Sequence, residues 1–104
     1  MRVYIAGPMS GLPDLNFPAF HAEAARLRAI GFDVVNPAEI NVDPSAGWAA
    51  CMRADIVQLV TCHAIALLPG WEKSRGAALE WQIAKALGMR VMLANEIHAL
   101  PEPA

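Results

Sequence analysis

The 104-residue chain is poor in several things. It has two cysteines, Cys51 and Cys62, eleven positions apart and outside any metal-ligand spacing. They read as reduced core residues of a cytoplasmic protein rather than as a disulfide framework. Three histidines, His21, His63 and His98, are scattered, so neither a metal site nor a metal cofactor is expected. Charged residues make up only 17 % of the chain, the net charge is −2, and Lys and Arg form no block. A surface that binds a nucleic-acid polymer by neutralising phosphates is therefore not expected. No run of eighteen apolar residues occurs, so no membrane span is expected. The opening "MRVYIAGP" enters a strand-like run at once and lacks signal-peptide architecture. Repeats, low-complexity segments and an internal domain boundary are also missing. What is plentiful is apolar residues, at 56 %, which predicts one folded domain over 1–104 around one core.

The apolar runs and their stops set the organisation. Val3 to Ala6 is a short run halted by Gly7-Pro8, as a buried strand would be. "GPMSGLPDLNFP" is a loop by its glycines and prolines. Asn16 suits the cap of the following helix, with Pro18 tolerated in its first turn. Phe20, Ala24, Leu27 and Ile30 recur at helical spacing, and Gly31 suits the helix end. "FDVV" is a second strand ended by Asn36-Pro37, and residues 37–47 read as a loop. A second helix spans about Trp48 to Val60. "AIALL" is a third strand stopped by Pro69-Gly70. "SRGAALEWQIAKALG" is a third helix ending near Gly88, "RVML" a fourth strand, and the tail "LPEPA" is expected to fray.

Strictly alternating strands and helices predict an α/β fold: parallel strands, right-handed crossovers and helices on both faces. The expected form is a flavodoxin-like or Rossmann-like three-layer sandwich with a four-stranded sheet in the order 2-1-3-4. Such strands should be apolar and buried on both sides. Ligands then bind beyond the carboxyl ends of the strands, where the winding switches between strands 1 and 3. The loops that begin at Gly7 and Pro69 meet there.

Three features converge on that edge. Tyr4 leads into the Gly7–Gly11 loop, whose Gly7, Met9, Ser10 and Gly11 could turn backbone N–H groups toward an anion. It matches neither a P-loop nor a dinucleotide fingerprint, so a plain connection is the competing reading. Ser74 and Gly76 open the third helix, where a hydroxyl and free amides bind phosphate well; Ser74 as a mere cap is the alternative. Glu80 lies six residues on, at the border of the packing face, and is either a pocket carboxylate or a surface residue paired with Lys85 or capped nearby. Asp55, among apolar residues of the second helix, is either a second site carboxylate or the partner of Arg53 or Arg75. Trp48, Trp71, Met9 and Phe17 could wall a pocket for a flat base, or simply pack.

The ordered set "YIAGPMSG", "RADI" and "LPGWEKSRGAALEWQIAKALG" resembles the nucleoside 2-deoxyribosyltransferase-like superfamily over Arg2 to about Leu93. Within it, the opening through "GLPDLNFPAF" and the later "NPAE" are similar to a short family. The resemblance implies cleavage or transfer at the N-glycosidic bond of a 2′-deoxynucleoside or its 5′-monophosphate. It implies Glu80 as nucleophile, Tyr4 as its orienting partner and Asp55 as an acid or substrate-binding carboxylate. Ser74 stands where the monophosphate N-hydrolase branch of the superfamily carries a serine and the free-nucleoside transferases an aspartate. Gly7, Met9, Ser10, Gly11, Trp71, Ser74 and Gly76 are then the candidate substrate-binding residues. No cofactor is implied. A homodimer or larger homo-oligomer is, with the second helix at the interface. The competing expectation is a nucleotide-binding module without turnover, such as a sensor or sequestering protein.

Overall fold

A computed structural model describes residues 1–41 and 43–101. The first apolar run forms β1 (Arg2–Ala6). β2 (Asp33–Val35), β3 (Ala64–Leu67) and β4 (Arg90–Leu93) follow, and all pair in parallel in the order β2-β1-β3-β4. The α/β sheet expected from the alternating pattern is therefore present in the expected order. Tyr4 faces Val35 on one side and Ile65 on the other, which puts it at the centre of the sheet.

Successive residues of a strand point to opposite faces, and here the alternation builds two cores. Val3, Ile5, Ala64 and Ala66 pack with Phe20, Ala24 and Leu27 of α1 (Phe17–Ile30). Tyr4, Ala6, Ile65 and Leu67 face the other way. They meet Leu59 of α3 (Trp48–Leu59) and Ala77 and Ala84 of α4 (Arg75–Ala86). The alanines of α4 let that helix lie close to the sheet. Gly7 answers a similar need at the end of β1, since a Cβ there would come within 2.7 Å of Leu68 Cβ.

Local structure departs from the sequence reading in four places. The 37–47 segment is not all loop: α2 (Pro37–Ile40) is capped by Asn36, whose Oδ1 accepts from Ala38 N at 3.0 Å. Asn16 does not cap α1 through its side chain; it is left-handed, and its Nδ2 donates to the Pro8 carbonyl at 3.0 Å. Asp14, Leu15 and Asn16 form a run of positive φ (52°, 53° and 59°) that no glycine pattern announces. β4 is not buried on both sides: it is an edge strand, with Val91 and Leu93 each about two-fifths exposed. The expected fraying of the tail falls largely on 102–104, outside the described residues, while Leu100 rests beside Gly31.

Candidate functional site

The carboxyl ends of β1 and β3 open into a cavity of about 630 Å³. That lies within the roughly 300–1,000 Å³ of small-molecule sites. The loop after β1, the end of α2, the first turns of α3 and the first half of α4 enclose it. Of the expected site residues, Gly7, Met9, Ser10, Asp55, Ser74, Gly76 and Glu80 line it, and so do Trp48 and Phe17.

Glu80 is more enclosed than a border position suggests. It falls on the buried stripe of α4, between Ala77 and Ala84, and is 5 % exposed. Tyr4, fully buried on β1, donates its hydroxyl to Glu80 Oε2. Among the described residues no ion pair reaches Glu80, and Lys85 stands over the Trp81 ring instead. Burial pushes the Glu80 carboxyl up to about 8; the Tyr4 hydroxyl opposes this and Asp55 adds to it. Tyr4 is held well above the usual phenol range, by burial first and then by the two acids, so it remains a donor.

Asp55 is 6 % exposed. Its partner is neither Arg53 nor Arg75 but Asn41, whose Nδ2 donates to Asp55 Oδ1 at 2.5 Å. Burial raises Asp55 to about 6, and the Asn41 bond restrains the rise. Asn41, which the sequence did not single out, thus joins the site from the end of α2.

Ser74 caps α4, its Oγ accepting from Ala77 N at 3.2 Å. Gly76 lets the starts of α3 and α4 approach, because a Cβ there would come within 3.1 Å of Met52 Sδ. The Arg75 guanidinium stacks 3.8 Å above the Trp48 ring and, with Lys73, gives this end of the cavity positive charge. At 1.5 Å per residue, the six residues from Ser74 to Glu80 span roughly 9 Å of helix axis. The cavity is therefore polarised, cationic at the start of α4 and acidic deeper in.

Two expected binding residues lie elsewhere. Gly11 turns the loop with φ +81° and does not line the cavity. Trp71 is partly buried and packs against the core beside Trp81, ring centroids 5.4 Å apart, leaving Trp48 as the tryptophan of the wall. Conversely, Cys51 is not core: it is half-buried and faces the cavity, while Cys62 is buried. Among the described residues, no three His, Cys, Asp or Glu side chains are grouped to hold a metal ion.

The open parallel sheet and its polarised strand-end cavity define the class, a Rossmann-like α/β protein with a pocket at the topological switch point. Residues 1–93 match the family described as "Domain of unknown function (DUF4406)", and the chain belongs to that family. No curated protein matches the chain. Among the described residues, no helix is long and apolar enough to cross a membrane.

Proposed function

We propose that this protein cleaves the N-glycosidic bond of a 2′-deoxynucleoside 5′-monophosphate or 2′-deoxynucleoside, or transfers its sugar, with Glu80 as the nucleophile. The observation that carries the reading is the Tyr4–Glu80 pair at the acidic end of a cavity that also holds Asp55. A buried carboxylate is costly, and burying two in one pocket suits a ligand that develops positive charge.

An oxygen of Glu80 bonds to the anomeric carbon as the carbon–nitrogen bond breaks and its electron pair leaves with the base. Neutral Asp55 gives its proton to the departing nitrogen. The transition state resembles an oxocarbenium ion, as in retaining glycosidases. A 2-deoxy sugar favours it, having no electron-withdrawing 2-hydroxyl. Water then attacks the anomeric carbon of the glycosyl ester, Asp55 takes the water proton, and Glu80 is released as a carboxylate. A second base in place of water makes the reaction a transfer. At the cationic end, Ser74, the first amides of α4, Lys73 and Arg75 would hold a 5′-phosphate.

At neutral pH the two carboxyls share about one proton, since they titrate near 6 and 8. In the free protein that proton rests mainly on Glu80, the group of higher value, and the reactive arrangement is the minor one that has it on Asp55. Positive charge developing on the sugar favours it by stabilising ionised Glu80.

The test is incubation with each deoxynucleoside and its 5′-monophosphate, with chromatography for free base. Base release that disappears in Glu80→Gln supports the reading. Saturable binding without release would instead make the protein a nucleotide-binding module, and neither binding nor release would remove both readings. The proposal includes a cytoplasmic homo-oligomer with α3 at its interface, where Val57, and Val60 just past the helix end, are exposed.

A further inference from the structure

Asn41 has a place in the cavity but no task in the reaction described above. It stands at the end of α2 and lines the cavity wall. Its Nδ2 reaches across 14 residues of sequence to Asp55 Oδ1 on α3, at 2.5 Å. α2 exists because Asn36 caps it, so the carboxamide is delivered by a built element and not by a free loop.

We propose that Asn41 is the positioning residue of the general acid. By holding Oδ1 of Asp55 it orients the carboxyl and leaves Oδ2 as the oxygen that carries and delivers the proton. The proposal rests on reading Asp55 as the acid of the glycosidic reaction.

The chemistry follows from the groups present. An amide nitrogen donates and has no lone pair available to accept. A proton on Oδ1 would face the N–H of Asn41 and break the bond, so neutral Asp55 carries its proton on Oδ2. That oxygen is the one left for a ligand. As the glycosidic bond breaks, its electron pair moves onto the base nitrogen and the Oδ2 proton follows it. The new carboxylate charge is then met by the Asn41 donor already in place, without reorganisation. The ionisable groups facing Asp55 come from two other elements: Glu80 from α4 and Tyr4 from β1. Lys73 and Arg75 line the same cavity at the start of α4. From the α2 side, Glu39 is committed to Arg28 at 2.6 Å, so Asn41 is the polar group presented to Asp55.

The experiment uses two variants, Asn41→Leu, close in size, and Asn41→Ala, which adds no bulk. In each, Asp55 is titrated by carboxyl-carbon NMR in the free protein. Loss of a donor to the ionised form should move its midpoint upward from about 6. The acid limb of kcat/KM should move up with it. Turnover of substrates with natural bases should fall roughly 10-fold or more, part of the 10²–10⁴ a general acid contributes. A 2-deoxyriboside of 4-nitrophenol, whose aglycone leaves without protonation, should lose less than about 2-fold by the same argument. An unchanged midpoint in both folded variants, or equal losses with both kinds of leaving group, would overturn the proposal. Absence of base release by the wild-type protein would remove the proposed reaction instead, and the titration would then show whether Asn41 governs Asp55.

Discussion

Tyr4 and Glu80 are 76 residues apart in sequence and joined by a hydrogen bond inside the protein. The donor lies at the centre of the sheet and the acceptor on the buried stripe of α4. Because the tyrosine is held far from ionising, the pair can only be phenol to carboxyl.

Glu80→Gln keeps the shape of the side chain and an oxygen to accept from Tyr4. If Glu80 is the nucleophile, base release falls by roughly 10³-fold or more while ligand affinity changes far less. A slow 2-fluoro-2-deoxynucleotide adds the mass of one sugar phosphate to the wild-type peptide that contains Glu80. A label on a different residue would refute the assignment.

The pH profile of kcat/KM should be a bell with limbs near 6 and 8, the values of the free carboxyl pair. Below the lower limb both groups are protonated and the nucleophile is lost. Above the upper limb both are ionised and the acid is lost. A profile flat from 5 to 9 would show that this pair does not carry the chemistry.

Stability should depend on pH in a definite direction. Glu80 titrates near 8 in the folded protein against 4.5 ordinarily, so the folded state binds the extra proton between those values. Wild-type stability therefore falls as pH rises from about 4.5 through 8, by an amount on the order of 5 kcal/mol at most. Glu80→Gln lacks this fall. In thermal melts it should gain on the wild type as the buffer moves from pH 5 to pH 9, and a constant difference in Tm would count against a buried, proton-holding Glu80.

Ser74→Asp tests the cationic end. Aspartate is as good a helix cap as serine, so the fold should tolerate it. A carboxylate there repels a phosphate, and binding of a 5′-monophosphate should weaken more than binding of the free nucleoside, as isothermal titration would report. Equal weakening would place the phosphate elsewhere.

The expected homo-oligomer should be disrupted by Val57→Glu, which puts a charge on the exposed face of α3. Light scattering should then show a smaller species than the wild type. A monomeric wild type at micromolar concentration would end this expectation.

The sheet was legible in the sequence because its determinants are local. Apolar runs of strand length, the stops at Gly7, Asn36 and Pro69, and the 3.6-residue spacing of Phe20, Ala24 and Leu27 each depend on near neighbours. With alternation established, parallel pairing follows from chain connectivity, and the order 2-1-3-4 is one of the few doubly wound orders it allows. Tyr4, Asp55, Ser74 and Glu80 could be singled out because polar groups at strand ends, helix starts and apolar helix faces are unusual by local rules.

What the sequence alone could not decide was which side chains meet. Asn41 is an unremarkable polar residue until α2 brings it to Asp55. Cys51 reads as core because its helix is apolar, yet it is half-buried and lines the cavity. Trp71 and Trp48 are equivalent candidates as letters, and only packing sets one against Trp81 and the other on the cavity wall. The left-handed run at Asp14–Asn16 is likewise set against local preference. Sequence determines the elements because propensity and periodicity are short-ranged; the site is decided by the tertiary structure because burial, hydrogen-bond partners and shared protons belong to pairs of elements far apart in the chain.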